Sequence, residues 1–158
     1  MNIEIERKFL VKRDKWNPNV EGVFYRQNYL SITDQSVVRV RIKGTEATLT
    51  VKSSGTGLTR EEYQYEISVK DAENLLHLCP HKSIEKIRYK IDDQRHCWDV
   101  DEFKGENGGL LMAEVELESE TEAVILPEWI GEEVTGDPRY YNATLIKNPF
   151  QLWRNNKE

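Results

Sequence analysis

Hydrophobic and polar residues alternate with period two through most of the chain, the period of strands in a sheet whose two faces differ. The alternation runs over residues 3–11, 24–33, 36–43, 47–52, 60–68, 84–92, 96–103 and 111–118, which predicts about eight strands. Gly44, the run Ser53-Ser54-Gly55-Thr56-Gly57, Asp92-Asp93 and Gly105-Glu106-Asn107-Gly108-Gly109 stand between neighbours and supply the turn chemistry of antiparallel hairpins. Connections this short exclude most parallel crossovers. Helices are few. Ser68 is placed to cap a helix over 69–79, apolar at Leu75, Leu76 and Leu78 and ended by Pro80. Pro127-Glu128-Trp129-Ile130 reads as a short helical turn closed at Gly131, because proline at a first helical position loses no hydrogen bond. Residues 140–146 form a third candidate.

The polar face of these strands is charged and sorted by sign. Glu4, Glu6 and Lys8 oppose Ile3, Ile5 and Phe9, and Arg39, Arg41 and Lys43 oppose Val38, Val40 and Ile42. Lys52 follows Leu49 and Val51, while Arg60, Glu62, Gln64 and Glu66 oppose Tyr63, Tyr65 and Ile67. Lys86, Arg88 and Lys90 then make a basic strand, Asp99 and Asp101 an acidic one, and Glu114, Glu116 and Glu118 another. For any one strand, a half-buried sheet with a wet face accounts for such alternation. For the set, the sorting matters: like-charged stripes repel unless something sits between them. A polyanion with divalent cations meets that need, since guanidinium and ammonium groups bind phosphate oxygens and carboxylates bind hard metals. Curling about eight strands into a barrel removes the sheet edges and turns one face into a lining. Unpaired buried charges cost several kcal/mol each, so a charged lining stays wet or holds a matching ligand. The expected fold is α+β and mainly antiparallel β: an eight-stranded closed barrel, or tunnel, with a few peripheral helices.

Length and composition narrow the class. A chain of 158 residues suits one domain, residues 1–158, and 38% hydrophobic residues permit a core despite 32% charged ones. The net charge of -6 argues against a general nucleic-acid binder. The charged start, Glu4 to Lys8, is unlike a signal peptide, and no apolar run has the length of a membrane span, so a cytoplasmic location and no membrane partner are expected. Cys79 and Cys97 form no Cys-x-x-Cys pair, and His77, His81 and His96 lack a zinc spacing with them. Trp16, Trp98, Trp129 and Trp153 are dispersed and read as packing residues.

Glu4-Ile5-Glu6-Arg7-Lys8 is an E-x-E-x-K pattern on the first strand, and it resembles the signature of the CYTH family, also called triphosphate tunnel metalloenzymes. Arg39-Val40-Arg41, Lys52, Glu62, Lys86-Ile87-Arg88, Asp99 and Glu114-Val115-Glu116 follow in the family's order, so the likeness spans nearly the whole chain. Arg26-Gln27-Asn28-Tyr29-Leu30 is similar to the family's second strand. Glu133-Val134-Thr135-Gly136-Asp137 with Tyr140-Tyr141-Asn142 is similar to the closing segment of its short bacterial members. Gln64 departs from the pattern, since relatives often carry an acidic residue there.

The resemblance implies metal-dependent hydrolysis of a small triphosphate, inorganic tripolyphosphate above others, with Mg2+ or Mn2+ as cofactor. On this reading Lys8, Arg39, Arg41, Lys52, Lys86 and Arg88 hold the phosphates, and Glu4, Glu6, Glu114 and Glu116 carry the metal. Glu62 and Asp99 are further ligands or water-orienting groups, and Tyr29 pairs with Lys8 as a proton-handling dyad. Adenylate cyclase and thiamine triphosphatase activities, found elsewhere in the family, are the enzymatic alternatives. A module that binds polyphosphate or an RNA 5'-triphosphate end without chemistry is the alternative of another class; it needs the cations but not so many carboxylates. The segment from Trp129 to Asn142 has two readings, a cover over one barrel mouth or a homodimer contact.

Overall fold

The computed structural model describes residues 2–55 and 57–155. Nine strands form, β1 (Ile3–Val11), β2 (Val23–Ile32), β3 (Ser36–Lys43), β4 (Glu46–Ser53), β5 (Thr59–Ile67), β6 (Ile84–Asp93), β7 (His96–Phe103), β8 (Leu111–Glu116) and β9 (Ile130–Glu133). The first eight are ordered β5-β4-β3-β2-β6-β7-β8-β1, and pairing of β1 with β5 closes the ring. Every pairing is antiparallel. The expected closed barrel is the observed fold. The seam is short: β1 meets β5 only at Ile3↔Glu61, Glu4↔Arg60 and Ile5↔Thr59. Farther along, β1 pairs on one side with β8 from Glu6 to Leu10 and on the other with β9.

Because each strand has one charged face, closure turns the apolar faces outward, where further elements cover them. Helix α1 (Val69–Leu76) lies over β2–β4: its Ala72, fully buried, packs with Val40, Ile42 and Ala47, and Leu75 and Leu76 add to the cluster. The Ser68 side chain accepts a hydrogen bond from the Asp71 N–H at 3.0 Å, as the sequence predicts for an N-cap. The helix stops short of residue 79, and its end tightens into turns in which Leu78 N–H donates to Leu75 O and Cys79 N–H to Leu76 O. On the opposite side of the barrel Phe9, Trp98, Val100, Ala113, Val115 and Ile130 make a second core, over which Trp16 and Trp129 pack. Edge-to-face contacts join Trp98 to Phe9 at 5.7 Å and to Trp129 at 5.8 Å between ring centres.

The short turn expected at Pro127 forms, but it is not a helix and Gly131 does not close it. A single turn, with Ile130 N–H donating to Pro127 O at 3.0 Å, leads straight into β9. The edge of β1 that β5 leaves unpaired takes this strand, Ile130 joins the second core, and Glu133 accepts two hydrogen bonds from Arg7 at 2.9 and 2.8 Å. Gly131 serves close approach rather than helix closure, since a Cβ there would lie 3.2 Å from the Leu10 carbonyl oxygen.

The third cluster closes one end of the barrel. The carboxyl ends of β1, β2 and β7 share a rim with the amino ends of β3, β6 and β8. There the inward positions turn apolar, at Leu10, Val37, Ile84, Phe103 and Met112. The turn Pro138–Tyr140 and the short helix α2 (Asn142–Leu145) bring Tyr140, Leu145 and Ile146 onto this layer, and α3 (Phe150–Asn155) adds Trp153. Where one helix was expected over 140–146, an extended residue, Tyr141, separates the turn from α2. No helix among the described residues is long and apolar enough to cross a membrane.

Trp98 is the largest fully buried side chain among the described residues and joins the β7 wall to its aromatic cover. Trp98→Ala is expected to lower unfolding free energy by about 3–5 kcal/mol, and Ser68→Ala by about 1 kcal/mol, both read from urea unfolding midpoints.

Candidate active site

The lumen is a cavity of about 900 Å³, open at the mouth lined by Lys43, Glu46, Lys90, Arg95 and Glu118 and narrowed at the other end by Thr135, Gly136, Tyr141 and Asn142. Period two along each strand delivers its charged face to this space. Lys8, Tyr29, Arg39, Arg41, Lys52, Glu62, Lys86, Arg88, Asp99, Glu4, Glu6, Glu114 and Glu116, the residues singled out in the sequence, all line it. The two strands most basic in sequence, β3 and β6, flank β2 on one arc of the wall, while the acidic β8 bonds β1 across the ring from them.

The basic arc is held by buried counter-groups. Asp101 is 1% exposed, buried on the inward face of β7 against Lys86 and Arg88. Its carboxylate accepts from Arg88 Nε at 2.7 Å and Nη2 at 2.8 Å, and pairs with Lys86 Nζ at 2.8 Å. Burial opposes ionisation of Asp101, but Arg88 and then Lys86 outweigh it and hold the carboxyl at about 2. Burial also lowers the Lys86 ammonium to about 7 despite the attraction of Asp101, with Arg88 and Arg41 adding repulsion. Arg41 falls to about 9, again chiefly through burial, then through Arg39 and Arg88. These cations crowd one another in a site shielded from water, so an incoming anion meets a concentrated field. Arg39 is 8% exposed, and its Nε has no hydrogen-bond partner among the described residues. Its Nη2 reaches Thr50 Oγ1 only at 3.3 Å.

A chain of amides links this arc to the closed end. Arg41 Nε donates to Gln27 Oε1 at 2.8 Å, Gln27 Nε2 donates to Asn142 Oδ1 at 3.0 Å, and Lys86 Nζ donates to the same oxygen at 3.1 Å. Gln27 and Asp101 stand on the charged faces of their strands, so alternation carried a signal for both. Asn142 lies in an irregular segment where no period operates.

The acidic arc is organised by crowding of its carboxylates and by Lys52. Burial raises the Glu6 carboxyl well above its ordinary value, and Glu114 and Glu4 raise it further. Burial also opposes ionisation of Glu114, yet Lys8 and other neighbours, Arg88 among them, hold its carboxyl below the ordinary value. Lys52 Nζ bridges Glu4 at 2.8 Å and Glu62 at 3.7 Å. Asp99 contacts Lys90 at 2.8 Å and Arg88 at 3.3 Å, at the boundary between the two arcs. No group of three His, Cys, Asp or Glu side chains among the described residues forms a ready metal cage. Pairs of carboxylates suit a hard divalent ion that keeps waters and takes its remaining ligands from phosphate oxygens. Glu6, Glu114 and Glu4 crowd one another on this arc, and a divalent cation there would relieve their repulsion. Lys8 Nζ lies 5.5 Å from the ring centre of Tyr141, while Tyr29 packs into the apolar layer at the closed end.

Fold and lumen together define a closed antiparallel barrel with a charge-lined tunnel. The CYTH domain model matches residues 2–144, and the chain belongs to the CYTH family. It is 48% identical over 155 residues to an inorganic triphosphatase of Acetivibrio thermocellus, covering 98% of this chain and 99% of that one. An inorganic triphosphatase of Nitrosomonas europaea is 42% identical over 147 residues, covering 90% and 95%. A crystal structure of an inorganic triphosphatase superposes with a TM-score of 0.65 at 39% identity over 90% of this chain and 93% of that one. A putative adenylyl cyclase from Hippeastrum shares the fold at 14% identity, with a TM-score of 0.54 over 75% and 80%.

Asp101→Asn would leave Lys86 buried without its ion-pair partner and Arg88 with only the longer contacts to Asp99 and Glu114, and is expected to cost about 3–5 kcal/mol of stability in urea unfolding at neutral pH. The folded carboxyl is depressed, so its contribution is complete above the ordinary aspartate value of 3.8 and is lost as pH falls through about 2. Unfolding measured across that window is expected to show this acid loss in the parent protein and a flatter profile in Asp101→Asn.

Proposed function

We propose that this protein hydrolyses a small inorganic triphosphate, tripolyphosphate to pyrophosphate and phosphate, with Mg2+ or Mn2+ held by lumen carboxylates. The observation that carries this reading is the division of one enclosed lumen into a basic arc and an acidic arc. Two relatives named inorganic triphosphatase, similar over nearly their whole lengths, support the reaction, and triphosphate tunnel enzymes as a class are metal-dependent. The residues 1–158 act as one domain in this reading.

Arg39, Arg41, Lys86 and Arg88 hold the phosphate chain against β3 and β6. The arginines can meet two oxygens at once, and the orphan Arg39 Nε is a donor ready for one of them. Lys8 and Lys52 reach the chain from β1 and β4, and Tyr29 lines the lumen from β2. Glu4, Glu6, Glu114 and Glu116 would hold the divalent ion, with Asp99 beside them. When bound, the ion neutralises phosphate oxygens and lowers the pKa of a coordinated water. Glu62 orients the water and accepts its proton. The new bond joins water oxygen to the terminal phosphorus, and the bond from that phosphorus to the bridging oxygen breaks. Pyrophosphate then leaves with its added charge on the basic arc. Most of the acceleration comes from positioning and fixed charge.

Phosphate release from tripolyphosphate, pyrophosphate, ATP and thiamine triphosphate, each with magnesium, manganese or calcium, tests the reading. Tripolyphosphate is expected to be preferred, with no turnover in a chelator. Cyclic nucleotide from ATP would instead identify a cyclase, and binding without metal-stimulated release a capture module. Glu4→Gln and Arg39→Ala are each expected to lower kcat/KM by on the order of 10²-fold or more. The raised Glu6 carboxyl sets the sign of a pH effect: the ion displaces its proton, so Mn2+ affinity rises as pH moves from mildly acid to neutral. Manganese titration followed by electron paramagnetic resonance measures this, and affinity constant with pH would contradict it.

A further inference from the structure

Tyr141 occupies a place that packing alone does not explain. After β9 the chain is tied to β1 beside Lys8: Val134 N–H donates to the Lys8 carbonyl at 2.8 Å, and Lys8 N–H donates to Thr135 Oγ1 at 2.8 Å. Asp137 then caps the turn Pro138–Tyr140, its carboxylate accepting from the Arg139 N–H at 3.1 Å. The next residue is extended, with φ -70° and ψ 135°, so adjacent side chains diverge. Tyr140 enters the apolar layer, and Tyr141 enters the lumen. The backbone of Tyr141 is fixed, since its carbonyl accepts from the N–H groups of Thr144 at 2.9 Å and Leu145 at 2.8 Å.

The ring stands between two cations brought from strands that meet at the barrel seam. Arg60 on β5 lies with Cζ 4.6 Å from the ring centre, and Lys8 on β1 with Nζ 5.5 Å from it. Neither stacking interaction uses the phenol oxygen. That oxygen is buried and finds no hydrogen-bond partner among the described residues. Buried hydroxyls are nearly always bonded, and one left over marks a position for a group outside the protein. Two cations beside a free O–H donor describe a receptor for an anion that takes one more hydrogen bond.

We propose that Tyr141 is a further catalytic residue, whose hydroxyl donates a hydrogen bond to an oxygen of the phosphoryl group lodged at the closed end, between Lys8 and Arg60. This deepens the triphosphatase reading and rests on it for the identity of the anion. Arg60 becomes a phosphate contact by the same geometry. The closing segment thus completes the binding site as well as sealing the barrel.

Tyr141→Phe separates the two uses of the side chain, because the ring still stacks on both cations while the donor is gone. Steady-state hydrolysis of tripolyphosphate gives one readout, and calorimetric titration with tripolyphosphate in a chelator gives a second that requires no turnover. The expected result is a roughly 10- to 100-fold loss in kcat/KM and a weaker metal-free affinity, the range for a hydrogen bond to a charged group. Unchanged values in both assays, with the parent enzyme active, would overturn the role of Tyr141 and leave the triphosphatase reading standing. Weakened metal-free binding in a protein that releases no phosphate from any triphosphate would sink that reading and keep the contact. As a check that needs no deletion, 3-fluorotyrosine at position 141 is expected to show a saturable fluorine shift with metal-free tripolyphosphate. An unmoved resonance at saturation would count against the contact.

Discussion

Closure of the sheet is the constraint on which everything else depends. Once β5 bonds β1, one face of every strand can reach water only through the lumen, and the other needs a cover. The charged residues satisfy the first demand and the three apolar clusters the second. An ordinary barrel of this size fills its interior with aliphatic side chains. Here the apolar material is displaced to the outside, beneath α1, β9 and the tryptophans, and to a single layer at one end.

Such an interior is stable only if its charges are arranged rather than merely present. The basic arc is held away from water and repels itself, and burial first, then the neighbouring cations, lower Lys86 and Arg41. Asp101 counters that repulsion from the inward face of β7, buried against Lys86 and Arg88, so the cations are restrained by a group already covered by their own side chains. The acidic arc is treated differently: burial and crowding by Glu114 and Glu4 raise the Glu6 carboxyl, and Lys52 bridges Glu4 and Glu62. A metal ion relieves the crowding, and movement of a flexible lysine releases the bridge. The basic side is therefore rigidly prepared, and the acidic side is exchangeable.

Much of this was legible along the chain because a two-residue period records which face a side chain takes. The eight barrel strands and the lumen-facing charges follow from it directly. Depth does not, which is why Asp101 could be placed on the charged face of β7 but not recognised as a buried counter-ion. The closed end left a different trace. In Leu110-Leu111-Met112-Ala113 the alternation lapses because both faces of the strand are covered there. β9 was illegible for want of length: four residues hold too little pattern, and Pro127 pointed to a turn that does exist but leads into a strand. Tyr141 and Asn142 lie where the backbone is irregular, so only tertiary packing brings them inward.

The seam between β1 and β5 carries a consequence of its own. Three residue pairs join these strands, against eight between β3 and β4, and the middle pair is Glu4 with Arg60. The shortest strand pairing in the ring therefore carries side chains that both face the cavity. A ligand held by either one would bind the closed ring and not the opened chain, and so would favour closure by mass action.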